Sequence, residues 1–89
     1  MKNKNIPNSL KLYRRNRGLK QTEVALILGV RNASMISRWE KGLAIPTTVN
    51  VLKLALIYRT SADALYAEYR FRLKAEINRR EEALNISNR

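Results

Sequence analysis

The sequence predicts an all-α protein made of five helical segments, the last of which extends far beyond the others. Apolar residues recur at three- and four-residue spacing, and nowhere do they alternate as they would along a strand. Gly18, Gly29 and Gly42 all fall where this periodicity breaks, and Pro7 and Pro46 just precede apolar-periodic runs. Glycine just past a helix and proline near its start are typical of helices joined by short turns.

The first two helices are short. Helix one is expected to start from a cap at Asn8 or Ser9 and to end at Asn16. Helix two covers about residues 21–28. Lys20 occupies its N-cap position; a lysine caps a helix poorly, but a cation at this point can reach a phosphate.

The next two helices have recognisable caps. Helix three covers about residues 33–41, with Asn32 as its cap. Helix four follows Pro46, with Thr47 as its cap, and runs to about Tyr58. Both caps carry a side-chain oxygen that can accept a hydrogen bond from the first turn.

The fifth helix begins at Ser61 and meets no stop signal for a long way. A helix that continues to Leu84 would have about 24 residues and a length of roughly 36 Å. We expect Ala62 to Tyr69 to fold back on the core and the distal half to meet a second copy; fraying after about Arg79 is the alternative. The inward positions form one stripe at 100° per residue, made of Ala62, Leu65, Tyr66, Tyr69, Leu73, Ile77 and Leu84.

The composition limits the function. The chain has 89 residues, enough for one domain, and it lacks both cysteine and histidine. Disulfides and thiolate metal sites are therefore ruled out, and the commonest general base is missing, so we expect no enzyme, no metal and no cofactor. No apolar run approaches the roughly twenty residues of a membrane helix, and no signal peptide develops after the first lysines, so we expect no membrane association and a cytoplasmic protein.

The positive charge is concentrated in the first two-thirds of the chain. Residues 1–60 carry twelve lysines and arginines against Glu23 and Glu40, a net charge of +10. Residues 61–89 carry six against five acidic residues, a net charge of +1. A polyanionic partner should therefore meet the front of the chain, and the tail should have another role.

Helices two and three together read as a helix-turn-helix, the motif that presents its second helix to the major groove of DNA. Val24, Ala25 and Leu28 face inward on the first of these helices, and Ile36 and Trp39 face inward on the second. The spacing from Ile36 makes Trp39 a core residue and not a stacking platform. The outward residues of helix three are Ala33, Ser34, Ser37 and Arg38.

Several short motifs occur in a characteristic order: Gly18-Leu19-x-Gln21, Glu23-Val24-Ala25, Gly29, Ile36-Ser37-Arg38-Trp39-Glu40-x-Gly42, Pro46, and Leu52-x-Leu54-Ala55 followed by Ser61-x-Asp63-x-Leu65. In this order and spacing the chain resembles the lambda-repressor-like, Cro/CI-type (XRE) helix-turn-helix regulators from about Leu10 to Tyr66. The resemblance implies a compact five-helix domain that usually acts as a dimer on a two-fold-related DNA operator.

The resemblance also implies roles for individual residues. The family's phosphate-contacting glutamine falls on Gln21, and its buried arginine–glutamate pair falls on Arg14 and Glu40. Two departures matter. One extra residue between Gly29 and Ile36 leaves the base-reading register uncertain by one position. Arg59 stands where the family has a glycine, so that turn must close differently or accept a strained arginine.

From these features we expect three sets of contacts. Base edges are read by Ala33, Ser34, Ser37 and Arg38. Phosphates are bound by Lys20, Gln21, Arg31, Asn32 and Lys41. A dimer or partner is contacted through Tyr69, Leu73 and Ile77. The corresponding division of the chain is a flexible basic arm (1–7), a helix-turn-helix head (8–66) and a C-terminal helical extension (67–89).

The favoured hypothesis is a sequence-specific regulator that binds double-stranded DNA, most simply a homodimeric repressor acting by occlusion. The alternative is an antitoxin whose head represses its own promoter and whose C-terminal helix neutralises a protein partner. A third hypothesis, a nonspecific binder of RNA or anionic membrane, does not explain why Ser34, Ser37 and Arg38 share one face.

Overall fold

The computed structural model describes residues 5–86, and within that range every regular element is an α-helix. The predicted all-α fold class is confirmed. Five short helices form the head and a longer one forms the extension: α1 (Leu10–Asn16), α2 (Gln21–Leu28), α3 (Ser34–Glu40), α4 (Thr48–Ile57), α5 (Ala62–Leu65) and α6 (Ala67–Ala83).

The first four helices lie where the sequence predicts them. Side-chain oxygens cap the N-termini of three of them. Asn8 Oδ1 accepts the Leu10 N–H at 3.0 Å, whereas Ser9 makes no side-chain cap. Asn32 Oδ1 accepts the Ser34 N–H at 2.9 Å, and Thr47 Oγ1 accepts the Asn50 N–H at 3.3 Å. These bonds satisfy amide hydrogens that a helix start leaves without an intrahelical partner.

The prediction of one continuous helix from Ser61 to Leu84 is wrong. The helix breaks at Tyr66, where φ is −125° and ψ is 38°. The carbonyl of Leu65, which would accept the Tyr69 N–H in a continuous helix, accepts the Ser9 N–H at 2.8 Å. A tertiary hydrogen bond to the chain before α1 thus occupies the carbonyl that a continuous helix would use, and α6 begins after Tyr66.

A stop signal for the last helix does exist, and it was missed in the sequence. Asn85 adopts the left-handed conformation with φ 59°, and the Ile86 N–H donates to the Glu81 carbonyl at 3.1 Å. This is the pattern of a helix closed by a left-handed C′ residue, a position where asparagine ranks after glycine.

One hydrophobic cluster, contributed by α1 to α5 and the residue that follows α4, holds the head together. Trp39 is part of it with 4% of its surface exposed, as predicted. No residue of α6 is buried, so the extension leaves the head as a largely solvated helix. The buried members are Leu10, Val24, Ala25, Leu28, Ile36, Trp39, Leu54, Ala55, Tyr58 and Leu65.

The basic arm predicted over residues 1–7 lies mostly outside the described residues. At its end, the Ile6 N–H donates to the Gly42 carbonyl at 2.9 Å, and Ile6 and Pro7 are half-buried. Gly42 permits this approach, because a Cβ at that position would lie 2.3 Å from the Ile6 oxygen. The chain is therefore held against the head from Ile6 onward, before the predicted boundary at residue 8.

Candidate nucleic-acid interface

The turn between α2 and α3 is built on Gly29. Its φ of 85° is the left-handed conformation that glycine adopts without strain, and its N–H closes α2 on the Ala25 carbonyl at 2.9 Å. Val30 follows half-buried and packs against the core. The chain then reaches Asn32, whose side chain starts α3, so both helices are rigidly attached to one core.

The start of α2 combines a free cation with an unusual cap. Lys20 makes no side-chain cap, and Glu23 Oε1 instead accepts the Lys20 N–H at 2.8 Å. Glu23 is the third residue of the helix, where a carboxylate can reach back to the N-cap and also interacts favourably with the helix dipole. The Lys20 ammonium remains exposed beside a helix N-terminus.

An ion pair ties the first three helices together. Arg14 Nε donates to Glu40 Oε2 at 2.6 Å and Arg14 Nη2 donates to Glu40 Oε1 at 3.2 Å, and only 11% and 4% of the two side chains are exposed. Gln21 Nε2 adds a bond to Glu40 Oε1 at 3.0 Å, and Arg14 Nη1 donates to the Leu19 carbonyl at 2.9 Å. The hydrogen bonds from Arg14 to Glu40 raise the pKa of the guanidinium. The network fixes the start of α2 against the end of α3.

The outward line of α3 consists of Ser34, Arg38 and, just after the helix, Lys41, all three exposed. Ala33 and Ser37 are half-buried and lie at the flanks of this line. The Arg38 guanidinium makes no hydrogen bond or ion pair within residues 5–86. It is therefore available to an external acceptor.

The cations around this line, like Arg38, form no ion pair within residues 5–86. Neither Lys20, Arg31 nor Lys41 forms an ion pair within the described part of the chain, and all three are exposed. Both acidic residues of the basic front, Glu23 and Glu40, are engaged internally. Neither carboxylate forms an ion pair with these three cations within residues 5–86, so the cations remain open to an external anion.

Gln21 and Asn32 are less free than the sequence suggested. The Gln21 side chain is half-buried and donates one N–H to Glu40, which leaves its second N–H and its oxygen for other partners. The side-chain oxygen of Asn32 accepts a hydrogen bond from Ser34, which leaves the Asn32 amide hydrogens for other partners. Each can still give an N–H to a phosphate, in an orientation that its protein partner determines.

A family model described as "Helix-turn-helix" matches residues 10–65, more than half of the chain, and this range holds α1 to α5 with the whole exposed line of α3. The chain belongs to the XRE-type, Cro/CI-like helix-turn-helix family. Membership supports a DNA-binding regulator of transcription in general. A comparison with curated proteins gives no significant match.

Two side-chain contacts that support the helix-turn-helix were not predicted from the sequence. Asn8 Nδ2 lies 3.1 Å from the Trp39 carbonyl and 3.3 Å from the Glu40 carbonyl, so this cap of α1 also holds the C-terminal end of α3. Arg17 donates through Nη1 to the Ile57 carbonyl at the end of α4. A helix C-terminus favours a cation, but nothing in the sequence shows which cation reaches which helix.

The extension of this helix-turn-helix protein presents an apolar stripe. Tyr69 is half-buried near the head, whereas 42% of Leu73 and 52% of Ile77 are exposed. Leu73 and Ile77 line a shallow groove together with Arg70 and Lys74. We call Tyr69, Leu73 and Ile77 the α6 stripe.

Two other kinds of site were sought within residues 5–86. No three Asp or Glu side chains come close enough together to hold a metal ion. No helix in this range has the length and apolarity needed to cross a membrane.

Proposed function

We propose that this chain is a sequence-specific repressor that binds double-stranded DNA as a homodimer in the cytoplasm. The observation that carries the proposal is the line of Ser34, Arg38 and Lys41, exposed on a helix whose opposite face is locked into the core. A guanidinium without an internal partner can donate two hydrogen bonds to guanine O6 and N7. A dimer would place two such helices about one helical turn, roughly 34 Å, apart and block polymerase by occupying the site.

The phosphate contacts are proposed for the cations that surround this line. Lys20 and Gln21 lie at the N-terminus of α2, where the helix dipole also attracts an anion, and Arg31, Asn32 and Lys41 flank α3. If about four of these act in each half-site, a dimer neutralises roughly eight phosphates. The logarithm of the binding constant should then fall with the logarithm of the salt concentration with a slope of about −7.

The dimer is proposed to form through the α6 stripe. The helix of 17 residues is about 26 Å long and keeps its apolar side chains uncovered. Because residues 61–89 carry a net charge of only +1, two extensions can approach each other without the repulsion that two basic fronts would meet. A stable homodimer formed through residues 70–85 would favour this repressor, whereas a tail that becomes ordered only with another protein would favour the antitoxin alternative.

The first experiment is selection of binding sites from random duplexes at about 150 mM salt, with wild type and with Arg38→Ala. We expect wild type to enrich one two-fold-related sequence. Arg38→Ala should lose roughly 5- to 150-fold in preference at one base pair of each half-site, because a bidentate contact to guanine disappears. Arg79→Ala, which removes the same charge from an exposed position of α6, is the matched control and should leave the preference unchanged. A wild-type sequence preference in Arg38→Ala would contradict the role of Arg38.

The second experiment tests the dimer by sedimentation and by DNA affinity. Leu73→Glu places a charge in the α6 stripe and should give a monomer with weakened binding to the two-fold site. Phe71→Glu is the control, because Phe71 is 72% exposed and lies on another side of the same helix. Dimers of equal stability in both variants would exclude the stripe as the interface.

A further inference from the structure

Asn32 and Ser34 are hydrogen-bonded to each other at the start of α3. The Ser34 N–H donates to Asn32 Oδ1 at 2.9 Å, and the Ser34 hydroxyl contacts the same oxygen. Both residues are exposed. The pair therefore lies on the proposed DNA-binding surface, at the end of the recognition helix that reaches base edges.

These two contacts determine the polarity of both side chains. A backbone N–H can only donate, so the Asn32 atom that it meets must be the carbonyl oxygen and not the amide nitrogen. A carbonyl oxygen can only accept, so the Ser34 hydroxyl must donate its hydrogen to it. Ser34 Oγ then retains only acceptor lone pairs. The two hydrogens on Asn32 Nδ2 face away and have no acceptor within residues 5–86.

A serine hydroxyl is ordinarily ambiguous toward bases, because it can donate or accept. An oxygen that can only accept requires a donor from the base. The major groove offers two, the N6 amine of adenine and the N4 amine of cytosine, whereas guanine and thymine present acceptor atoms there. We propose that Ser34 selects adenine or cytosine on the strand that it contacts, because Asn32 orients the Ser34 hydroxyl as an acceptor. This inference rests on the DNA-binding function proposed above.

The discrimination has a definite source. To meet guanine or thymine, the Ser34 hydroxyl must turn its hydrogen toward the base and give up its bond to Asn32 Oδ1. One such hydrogen bond corresponds to roughly a fivefold change in affinity. The outward amide hydrogens of Asn32 are donors for a phosphate oxygen, a contact that adds affinity but no sequence information.

Site selection with three variants tests the mechanism. The position at which Ser34→Ala loses preference identifies the base that Ser34 contacts, and wild type should carry adenine or cytosine there. Asn32→Ala frees the hydroxyl, so guanine and thymine should become acceptable and the preference should fall roughly fivefold. Asn32→Asp keeps an acceptor oxygen for both hydrogens. It should retain the adenine-or-cytosine preference while binding all sequences more weakly, because a carboxylate faces the phosphates.

A base analogue supplies a direct measurement. Replacing the selected adenine by purine, or the selected cytosine by 2-pyrimidinone, removes only the amine and should weaken wild type roughly fivefold but leave Ser34→Ala unchanged. Guanine or thymine at the Ser34 position, an Asn32→Ala variant with the full wild-type preference, or a Ser34→Ala variant that changes no position would each overturn the inference while leaving the DNA-binding function intact. Failure of wild type to enrich any sequence would instead reject the proposed function itself.

Discussion

The Arg14–Glu40 pair gives the sharpest prediction about stability. Glu40→Leu removes a carboxylate that accepts three hydrogen bonds, two from Arg14 and one from Gln21, in a site where only 4% of the Glu40 side chain is exposed. The Arg14 guanidinium, 11% exposed, would be left with the Leu19 carbonyl alone. A charge in that position has lost its water without retaining its partner.

The expected magnitude follows from this burial. Removing one member of a buried pair costs about 3–5 kcal/mol, because the remaining charge is uncompensated. A domain of this size has about 4–13 kcal/mol of stability in total, so the loss would be a large part of it. The double variant Arg14→Met/Glu40→Leu should lose less than the sum of the two single variants, with a coupling energy of about 2–3 kcal/mol.

Urea unfolding followed by tryptophan fluorescence measures these values, because Trp39 is the one tryptophan and is buried beside the network. Arg72→Ala is the matched control. It breaks a 2.7 Å pair with Glu68 whose side chains are about 60% exposed, and it should cost less than about 1 kcal/mol. If Glu40→Leu proved no more destabilising than Arg72→Ala, the reasoning from burial would be refuted.

Three further predictions concern backbone strain and burial. Arg59 has φ 57°, so Arg59→Gly should raise the free energy of unfolding by about 0.5–1 kcal/mol in urea titrations, whereas a gain with Arg59→Ala would contradict this explanation. Gly42→Ala should lower it by about 2 kcal/mol or more, since the added Cβ would lie 2.3 Å from the backbone oxygen of Ile6; a neutral effect in thermal melts would show that the chain before α1 is not held there. The Tyr66 hydroxyl is buried and without a hydrogen-bond partner in the described residues, so Tyr66→Phe should stabilise the fold by about 1 kcal/mol at pH 7. Burial also raises the pKa of Tyr66 from 10.0 to about 12. Ionisation of Tyr66 is therefore less favourable in the folded state than in the unfolded state, so the stability of wild type is unaffected by this group below pH 10 and falls as the pH rises to 12. Tyr66→Phe should retain more of its stability than wild type in that range, as circular dichroism can show.

Much of the candidate interface could be predicted because it depends on local sequence. The inward positions of α2 and α3 follow from a period of 3.6 residues, and the residues left outside, including Ser34 and Arg38, follow by exclusion. The caps at Asn32 and Thr47 require only a side-chain oxygen and an amide two or three residues later. The uneven distribution of charge between residues 1–60 and 61–89 follows directly from a count of the charged residues.

The partners of the polar side chains could not be predicted in this way. Asn8 was expected to act as a cap and proved also to hold the end of α3, and Gln21 was expected to face phosphate and proved to be tied to Glu40. A side chain with several donors and acceptors has several chemically equivalent choices. Only the three-dimensional neighbourhood selects one of them.

The sequence by itself determined that the chain is helical, where α1 to α4 begin and end, and which of their faces are apolar, because periodicity and capping act within about four residues. The tertiary structure decided where α5 ends, since the Leu65 carbonyl accepts an N–H from Ser9, a residue far away along the chain. It also decided how the turn between α4 and α5 closes: Arg59 takes a left-handed conformation, and the Thr60 N–H donates to the Ala55 carbonyl at 2.9 Å. Both outcomes arise because packing in the core determines the path of each segment. Where packing and local conformational preference conflict, the chain adopts the conformation that packing requires.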